Sequence, residues 1–489
     1  MSLLANNGLQ FGSRVMTFIT NKDGIFNPTI NTSDSSVPIW RVEGYGVQAA
    51  NTPSFDLTGN TQDLKVTVSL SNFSKVSSIV FSSQNIKGTL DMSLLESCTN
   101  FQLHSNSELI QVINPTHDKN VNYYSIQECN ITGTLDISTF QNIGGSITFN
   151  NNPNLTQIIN PVSSSYILTN YNGYLCDLTG TLDMTGFTLG GYFRVYSNPN
   201  LTGISHAPTS EDILAYQAHA CNLTGTLDLS GLTGFGGGFL IYQNPNLTQI
   251  INPVSSNNIS TYYASDCNLT GMLDLSGLTG LGGLFRVNGN PNLTQIINPV
   301  SSNTFTYYYA SSCNLTGTLD LSGLTGLGGD LRVHINPNLT QIINPVSSKT
   351  FTYYYANQCN LTGTLDLSGL TGFGGTLAVY INPNLTSITL PIISNKINVF
   401  YAFSTGIGII DWSKLTGSND GINIRVDSCA FTAVESDQNT YDIEAMGWAN
   451  GTLNVGGTNA ALTDGAITGY DGITAKNDLI TAGWTVTYN

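Results

Sequence analysis

Asn314 to Cys359 reads NLTGTLDLSGLTGLGGDLRVHINPNLTQIINPVSSKTFTYYYANQC, a block of 46 residues that recurs along much of this chain. Its cysteine keeps the count: Cys221, Cys267, Cys313 and Cys359 stand 46 apart, Cys129 to Cys176 spans 47, and Cys176 to Cys221 spans 45. A fixed period between about 20 and 50 residues marks stacked repeats, in which no unit hides its own apolar face and each buries it against the next. N-L-T occurs twice in the block, at Asn314 and at Asn338, so the rung is about 23 residues and two unlike rungs make one block.

In the half ending at Cys359, Phe351, Tyr354, Ala356, Cys359 and Leu361 fill the positions of the pattern L-x-x-L-x-L-x-x-N/C-x-L. In the other half Leu331, Val333, Asn336 and Leu339 fill them, with Pro337 and one extra residue displacing the last leucine. On these residues the chain resembles the leucine-rich-repeat family, in the Asn-Pro-Asn-Leu and Cys-Asn-Leu forms of bacterial and bacteriophage proteins, over roughly residues 71 to 430. The resemblance implies a mainly β fold, a leucine-rich-repeat solenoid of parallel strands with rungs paired into 46-residue units.

Outside the repeat, residues 1–14 read as an N-terminal arm, and residues 15–70 alternate apolar and polar positions in VMTFIT, PIWRVEG and LKVTVSL, the pattern of a small antiparallel β-sandwich. That segment resembles a polycystic-kidney-disease-type domain: Trp40, Gly44 and Gly46 sit at the family's turn and Thr52, Pro53 and Ser54 precede the last strand, while Arg41 and Tyr45 stand where the family has aspartates. The resemblance implies a spacer or attachment module that covers one end of the solenoid. Residues 71–436 form the repeat body, and 437–489 close it as α/β capping rungs, with helices in QNTYDIEAMGWAN and DGITAKNDLITAGW each followed by a strand.

Charged residues make up 9% of the chain, against about 25% in ordinary domains. With a net charge of −16, the chain is unsuited to counterion-release binding of nucleic acid or to adhesion on an anionic membrane. The opening MSLLANNGLQFGSRVMTFIT lacks a secretory leader's basic and apolar regions, and no apolar run is long enough to span a bilayer. This favours an intracellular chain or one released as part of a virus particle. The eight cysteines are expected to be buried free thiols. Successive column cysteines lie two rungs apart, about 9.6 Å at about 4.8 Å per rung, and a disulfide needs Cα atoms within about 7 Å.

The strand face can be read from the register. The residue between the second and third apolar positions runs Ser125, Thr148, Asn172, Arg194, Gln217, Leu240, Tyr263, Arg286, Tyr309, Arg332, Tyr355, Ala378, Tyr401, Arg425. Tyr307, Tyr353, Tyr380 and Phe403 fall in neighbouring columns. Alternating tyrosine and arginine stabilises a sheet by cation–π stacking, and the same column offers rigid amphipathic area with hydrogen-bonding forks for a ligand. The candidate ligand face is therefore Tyr263, Arg286, Tyr307, Tyr309, Arg332, Tyr353, Tyr355, Tyr401 and Arg425. A second column, Asp136, Asp183, Asp228, Asp274, Asp320 and Asp366, lies two rungs apart per step, too sparse to chelate calcium from single side chains and suited to Asx turns.

The five histidines show no metal-ligand spacing, and no catalytic or nucleotide-binding motif occurs. The chain thus reads as a protein without enzymatic activity, cofactor or metal. Two functions compete: a structural or receptor-binding component of a bacteriophage particle, of fibre, spike or decoration type, or a bacterial surface or secreted leucine-rich-repeat adhesin. The expected partners are a bacterial surface glycan or protein receptor, other virion proteins through the N-terminal region, and further copies of the chain in a homo-oligomer. The expected location is the virion surface or, for the adhesin, the bacterial cell surface.

Overall fold

A computed structural model describes residues 14–208, 213–232, 234–254, 256–301, 303–393 and 395–489. All but the last residue of the expected N-terminal arm thus lies outside the described residues. The chain divides into two compact units, the first ending at Gly234 and the second beginning at Phe235.

In the second unit, parallel strands Phe235–Leu240, Ser256–Tyr263, Leu281–Arg286, Phe305–Tyr309, Leu327–Arg332, Phe351–Tyr355, Phe373–Ala378, Ile397–Tyr401, Asn423–Arg425, Thr452–Asn454 and Thr485–Thr487 form one sheet, each pairing with the next. The fold is a parallel β-solenoid with turns of about 23 residues, and strand occurs on both sides of the turn. On the second side, Thr270–Asp274 pairs with Asn292–Ile297, Thr316–Asp320 with Asn338–Ile343, and Gly363–Asp366 with Leu385–Thr389, each as a separate two-stranded ladder. Isolated bonds such as Thr362 N–H to the Thr340 carbonyl, 3.0 Å, join one ladder to the next. The 46-residue block is thus a physical pair of turns.

Inside, Phe239, Tyr262, Phe285, Tyr308, Leu331, Tyr354, Leu377 and Phe400 stack as one fully buried column. Phe285 and Tyr308 ring centroids are 4.7 Å apart, close enough for direct ring packing. A polar ladder runs beside it. Asn336, fully buried, donates from Nδ2 to the carbonyls of Val333 (2.8 Å) and Ala310 (2.9 Å) and accepts at Oδ1 from Leu315 N–H (3.1 Å). One amide therefore serves three backbone groups of two successive turns, the accounting a buried loop requires. In the alternate turns Cys359 occupies this place and its thiol lies 3.4 Å from the Val333 carbonyl.

A second polar ladder uses the Asn of Q-I-I-N-P. The hydroxyl of Tyr308 donates to Asn298 Oδ1 (3.0 Å), and Asn298 Nδ2 donates to the Asp320 carbonyl of the next turn (2.9 Å). Tyr262 with Asn252 and Tyr354 with Asn344 repeat the arrangement. Where Phe400 lacks the hydroxyl, the residue ten positions earlier is the buried Leu390 instead of asparagine.

Every second turn enters the main sheet through Gly-Gly. Gly329 has φ +68°, and a Cβ there would stand 2.2 Å from the Thr306 carbonyl oxygen of the turn before. The pairing shifts by one residue between Gly329 and Asp330, which is a β-bulge.

The unit ends on helices Ala433–Ala445 and Gly472–Thr481, followed by strands Thr452–Asn454 and Thr485–Thr487 that join the sheet. The first helix starts at a capping box between Thr432 and Glu435, and Asp471 caps the second by accepting from Thr474 N–H.

The first unit carries the same turn: Val76–Val80, Asn100–Gln102, His117–Ser125, Phe140–Thr148, Ile167–Asn172, Thr188–Arg194 and Ile213–Gln217 are paired in parallel. Ahead of them, antiparallel strands Val15–Thr20, Leu64–Ser69, Ile39–Val42 and Gly46–Ala49 form a sheet around the buried Trp40. Gly44 and Gly46, at φ +77° and +100°, make the hairpin turn beside it. The sheet does not stop at residue 70. Val15–Thr20 also pairs with Ile86–Asp91, and Thr29–Thr32 pairs antiparallel with Val76–Val80, so the backbone edge of the first turns is hydrogen-bonded rather than open.

All eight cysteines are free and buried. Burial pushes Cys98, Cys129 and Cys176 up to about 12 and Cys221, Cys267, Cys313 and Cys359 up to about 11. Cys429 also falls on the ladder, with its thiol 3.3 Å from the Ala402 carbonyl. The aspartate column forms Asx turns, each Oδ1 accepting the N–H two residues on, as in Asp320 with Ser322 N–H at 2.8 Å and Asp366 with Ser368 N–H at 2.9 Å.

Candidate ligand-binding face

Side chains alternate across a strand, so Leu331 enters the core while Asp330 and Arg332 stand outside. In the second unit the cross-strand register sets Leu240, Tyr263, Arg286, Tyr309, Arg332, Tyr355, Ala378, Tyr401 and Arg425 directly beside one another in that order. The parallel column two residues earlier holds Leu284, Tyr307, Asp330, Tyr353 and Thr376.

Each of the two central arginines is boxed by three tyrosines. The Arg286 guanidinium carbon is 4.9, 5.7 and 5.0 Å from the ring centres of Tyr263, Tyr307 and Tyr309. That of Arg332 is 4.7, 6.0 and 5.4 Å from Tyr309, Tyr353 and Tyr355. The ladder is therefore cation–π in geometry, a contact worth about 0.5–1 kcal/mol at exposed sites.

Asp330 is the residue the column reading misses. Its side chain is 5% exposed, its Oδ2 accepts from Arg332 Nη2 at 2.7 Å, and the Tyr309 hydroxyl donates to the same oxygen. Burial first, and then Asp330, push the Tyr309 phenol above the ordinary range, while the bond to Asp330 raises Arg332. The signal was present in sequence: D-L-R places acid and base at i and i+2, on one face of a strand.

Tyr401 and Arg425 belong to a second patch, separated from the first by Ala378, which is 1% exposed. There Arg425 pairs with Asp427 at 2.9 Å and lies 3.9 Å over Phe403, which stacks on Tyr380 at 4.5 Å and 7°. The first unit has its own aromatic run, Tyr174 on Tyr196 at 4.5 Å and Tyr196 on His219 at 4.6 Å, with Arg194 over Tyr192 at 4.3 Å.

No protein-family model matches the chain, and a search of curated proteins finds no match. Function must therefore be argued from the face itself. Among the described residues no three His, Cys, Asp or Glu side chains converge to hold a metal, and no helix is long and apolar enough to cross a membrane. The face is a row of flat rings with fixed guanidinium groups between them. Such a surface stacks on planar or ring-shaped ligands and donates hydrogen bonds to their oxygens. On the second side, clefts open between successive two-stranded ladders, one of about 520 Å³ between Thr156–Asn160 and Leu178–Asp183.

Proposed function

We propose that this chain is a non-catalytic recognition protein of leucine-rich-repeat type, a fibre, spike or decoration component on the surface of a bacteriophage particle, that binds a bacterial surface glycan or protein receptor. The observation carrying this reading is the boxed Tyr/Arg patch of Tyr263, Arg286, Tyr307, Tyr309, Arg332, Tyr353 and Tyr355. Rigid aromatic side chains lose little conformational entropy on binding, and pre-organised donors between them supply orientation. The apolar faces of sugar rings and their hydroxyl oxygens match both elements, which favours a glycan.

The antiparallel strands of residues 15–70 serve in this reading as a PKD-like sandwich that attaches the chain to other virion proteins and closes one end of the repeats. The helical segment over 437–489 serves as the cap of the other. A skin with 9% charged residues and abundant hydroxyls and amides suits a particle surface, and assembly as a homo-oligomer suits a fibre or spike.

The test is binding of the purified chain to whole bacterial cells and to a glycan array, beside a Tyr263→Ser, Tyr309→Ser, Tyr355→Ser variant shown by circular dichroism to be folded. Binding by the parent and its loss in the variant is the expected result. A parent that binds no cell and no glycan would overturn the reading.

A further inference from the structure

The repeats supply their own control for the two boxed arginines. Arg286 and Arg332 are equivalent positions one block apart, each with three tyrosine rings within about the same reach. Along their own strand face they differ at two positions: Arg332 has Asp330 two residues before it and His334 two after, where Arg286 has Leu284 and Asn288, so the carboxylate is peculiar to Arg332. Arg332 is consequently neutralised by a near-buried carboxylate, whereas among the described residues Arg286 has no ion-pair partner. The Arg286 Nε is also sequestered from solvent with no hydrogen-bond acceptor among the described residues. A guanidinium partly desolvated between rings and without a counter-ion is an open anion site.

We propose that Arg286, framed by Tyr263, Tyr307 and Tyr309, is a subsite for the carboxylate of an acidic sugar, a uronic-acid residue of a surface glycan. The inference rests on the glycan-binding reading above and adds the charge of the ligand. The ligand carboxylate would accept from the Arg286 guanidinium through its terminal Nη groups and supply the counter-charge that Asp330 supplies to Arg332, while the sugar ring lies against a tyrosine. Leu284 brings an apolar edge and no carboxylate to the position that Asp330 holds in the neighbouring block. Because the chain carries a net charge of −16, long polyanions are repelled overall, and the site is suited to single acidic residues in a largely neutral glycan.

The experiment is calorimetric titration of the full chain with a short neutral oligomer carrying one galacturonic acid residue and with the same oligomer after reduction of that carboxyl group to the alcohol. Two variants accompany it: Arg286→Gln removes the cation, and Leu284→Asp installs the internal counter-ion seen at Asp330 while keeping Arg286. The acidic oligomer is expected to bind at least about tenfold more tightly than the reduced one, with the preference weakened by salt and abolished in both variants at unchanged melting temperature. Equal binding of both oligomers, or a preference that survives in both variants, overturns the acidic subsite and leaves glycan recognition standing. No binding of either oligomer by a parent that binds cells or other glycans also overturns the subsite alone. No binding to any glycan or cell overturns both readings.

Discussion

At Tyr216 the asparagine that receives the buried hydroxyl elsewhere is replaced by His206, whose Nε2 lies 2.9 Å from the Tyr216 oxygen. Burial lowers His206 to about 4 from an ordinary value of 6.5, partly opposed by the charge of Asp228. The unfolded chain therefore takes up the proton first as pH falls. The stability this histidine contributes is complete above about 6.5 and drains away as pH drops toward 4. Replacing His206 with Asn, the residue of the other turns, is expected to flatten the fall in melting temperature between pH 6.5 and 4 relative to the parent. Equal slopes for the two proteins would show that the imidazole is not desolvated. Asp183 and Asp228 are lowered by bonds from Thr185 and Ser230, so their contribution is lost only below the usual carboxylate value of 3.8, outside that window. Residue-scale differences of this kind also separate Arg332 from Arg286, which the column reading treats as equals. Truncating Arg332 strands the near-buried Asp330; truncating Arg286 strands nothing.

At the scale of the turn, the asparagine and cysteine ladders fill one position with unequal duties. Asn336→Ala leaves two carbonyls and one N–H unsatisfied in the interior and is expected to cost about 3 kcal/mol or more. Cys359→Ala removes a small apolar group with a weak donor and should cost about 1 kcal/mol; urea unfolding midpoints of the two variants would rank them. Gly329→Ala drives a methyl into the Thr306 carbonyl and imposes a side chain on a left-handed backbone, so it is expected to destabilise by about 3 kcal/mol or to prevent folding. A melting temperature unchanged by that substitution would mean the bulge can be rebuilt flat. Gly-Gly announces this bulge in the sequence. The left-handed residue before each ladder position is mostly unannounced: Ser312, Ile335, Gln358 and Ile381 have φ of 54°, 58°, 55° and 56°, while residue types that favour this region stand in the series at Asn151, Asp266 and Gly289. The turn is enforced by the buried amide or thiol that follows, a tertiary constraint that local preference does not reveal.

For the molecule as a whole, period and register were legible because one strand-face column recurs at a fixed interval, and the parallel pairing follows that column residue for residue. The Tyr/Arg column was legible for the same reason. Two things were hidden. The N-terminal strands reach past residue 70 to pair with Ile86–Asp91, because an open sheet edge seeks partners that no local alternation encodes. The second side divides into two-stranded ladders, because the T-G-T and N-L-T-Q halves pair within a block better than between blocks. That division predicts how the chain tolerates length change. Deleting the 46 residues Asn314–Cys359 joins equivalent positions and is expected to give a folded protein with an unchanged circular dichroism spectrum per residue. Deleting 23 residues, 313–335, sets two like turns side by side and orphans a ladder strand, so a large loss of stability is expected. Equal tolerance of both deletions would refute the paired turn as the unit of construction. The same division has a mechanical side. Under a pull along the stack every turn boundary of the second unit is held by the continuous main sheet, but on the second side boundaries within a block add a paired ladder whereas boundaries between blocks add isolated bonds, so the latter are the weaker. A stack built this way is expected to yield in instalments at the block boundaries, each detached block releasing 46 residues and about 150 Å of slack.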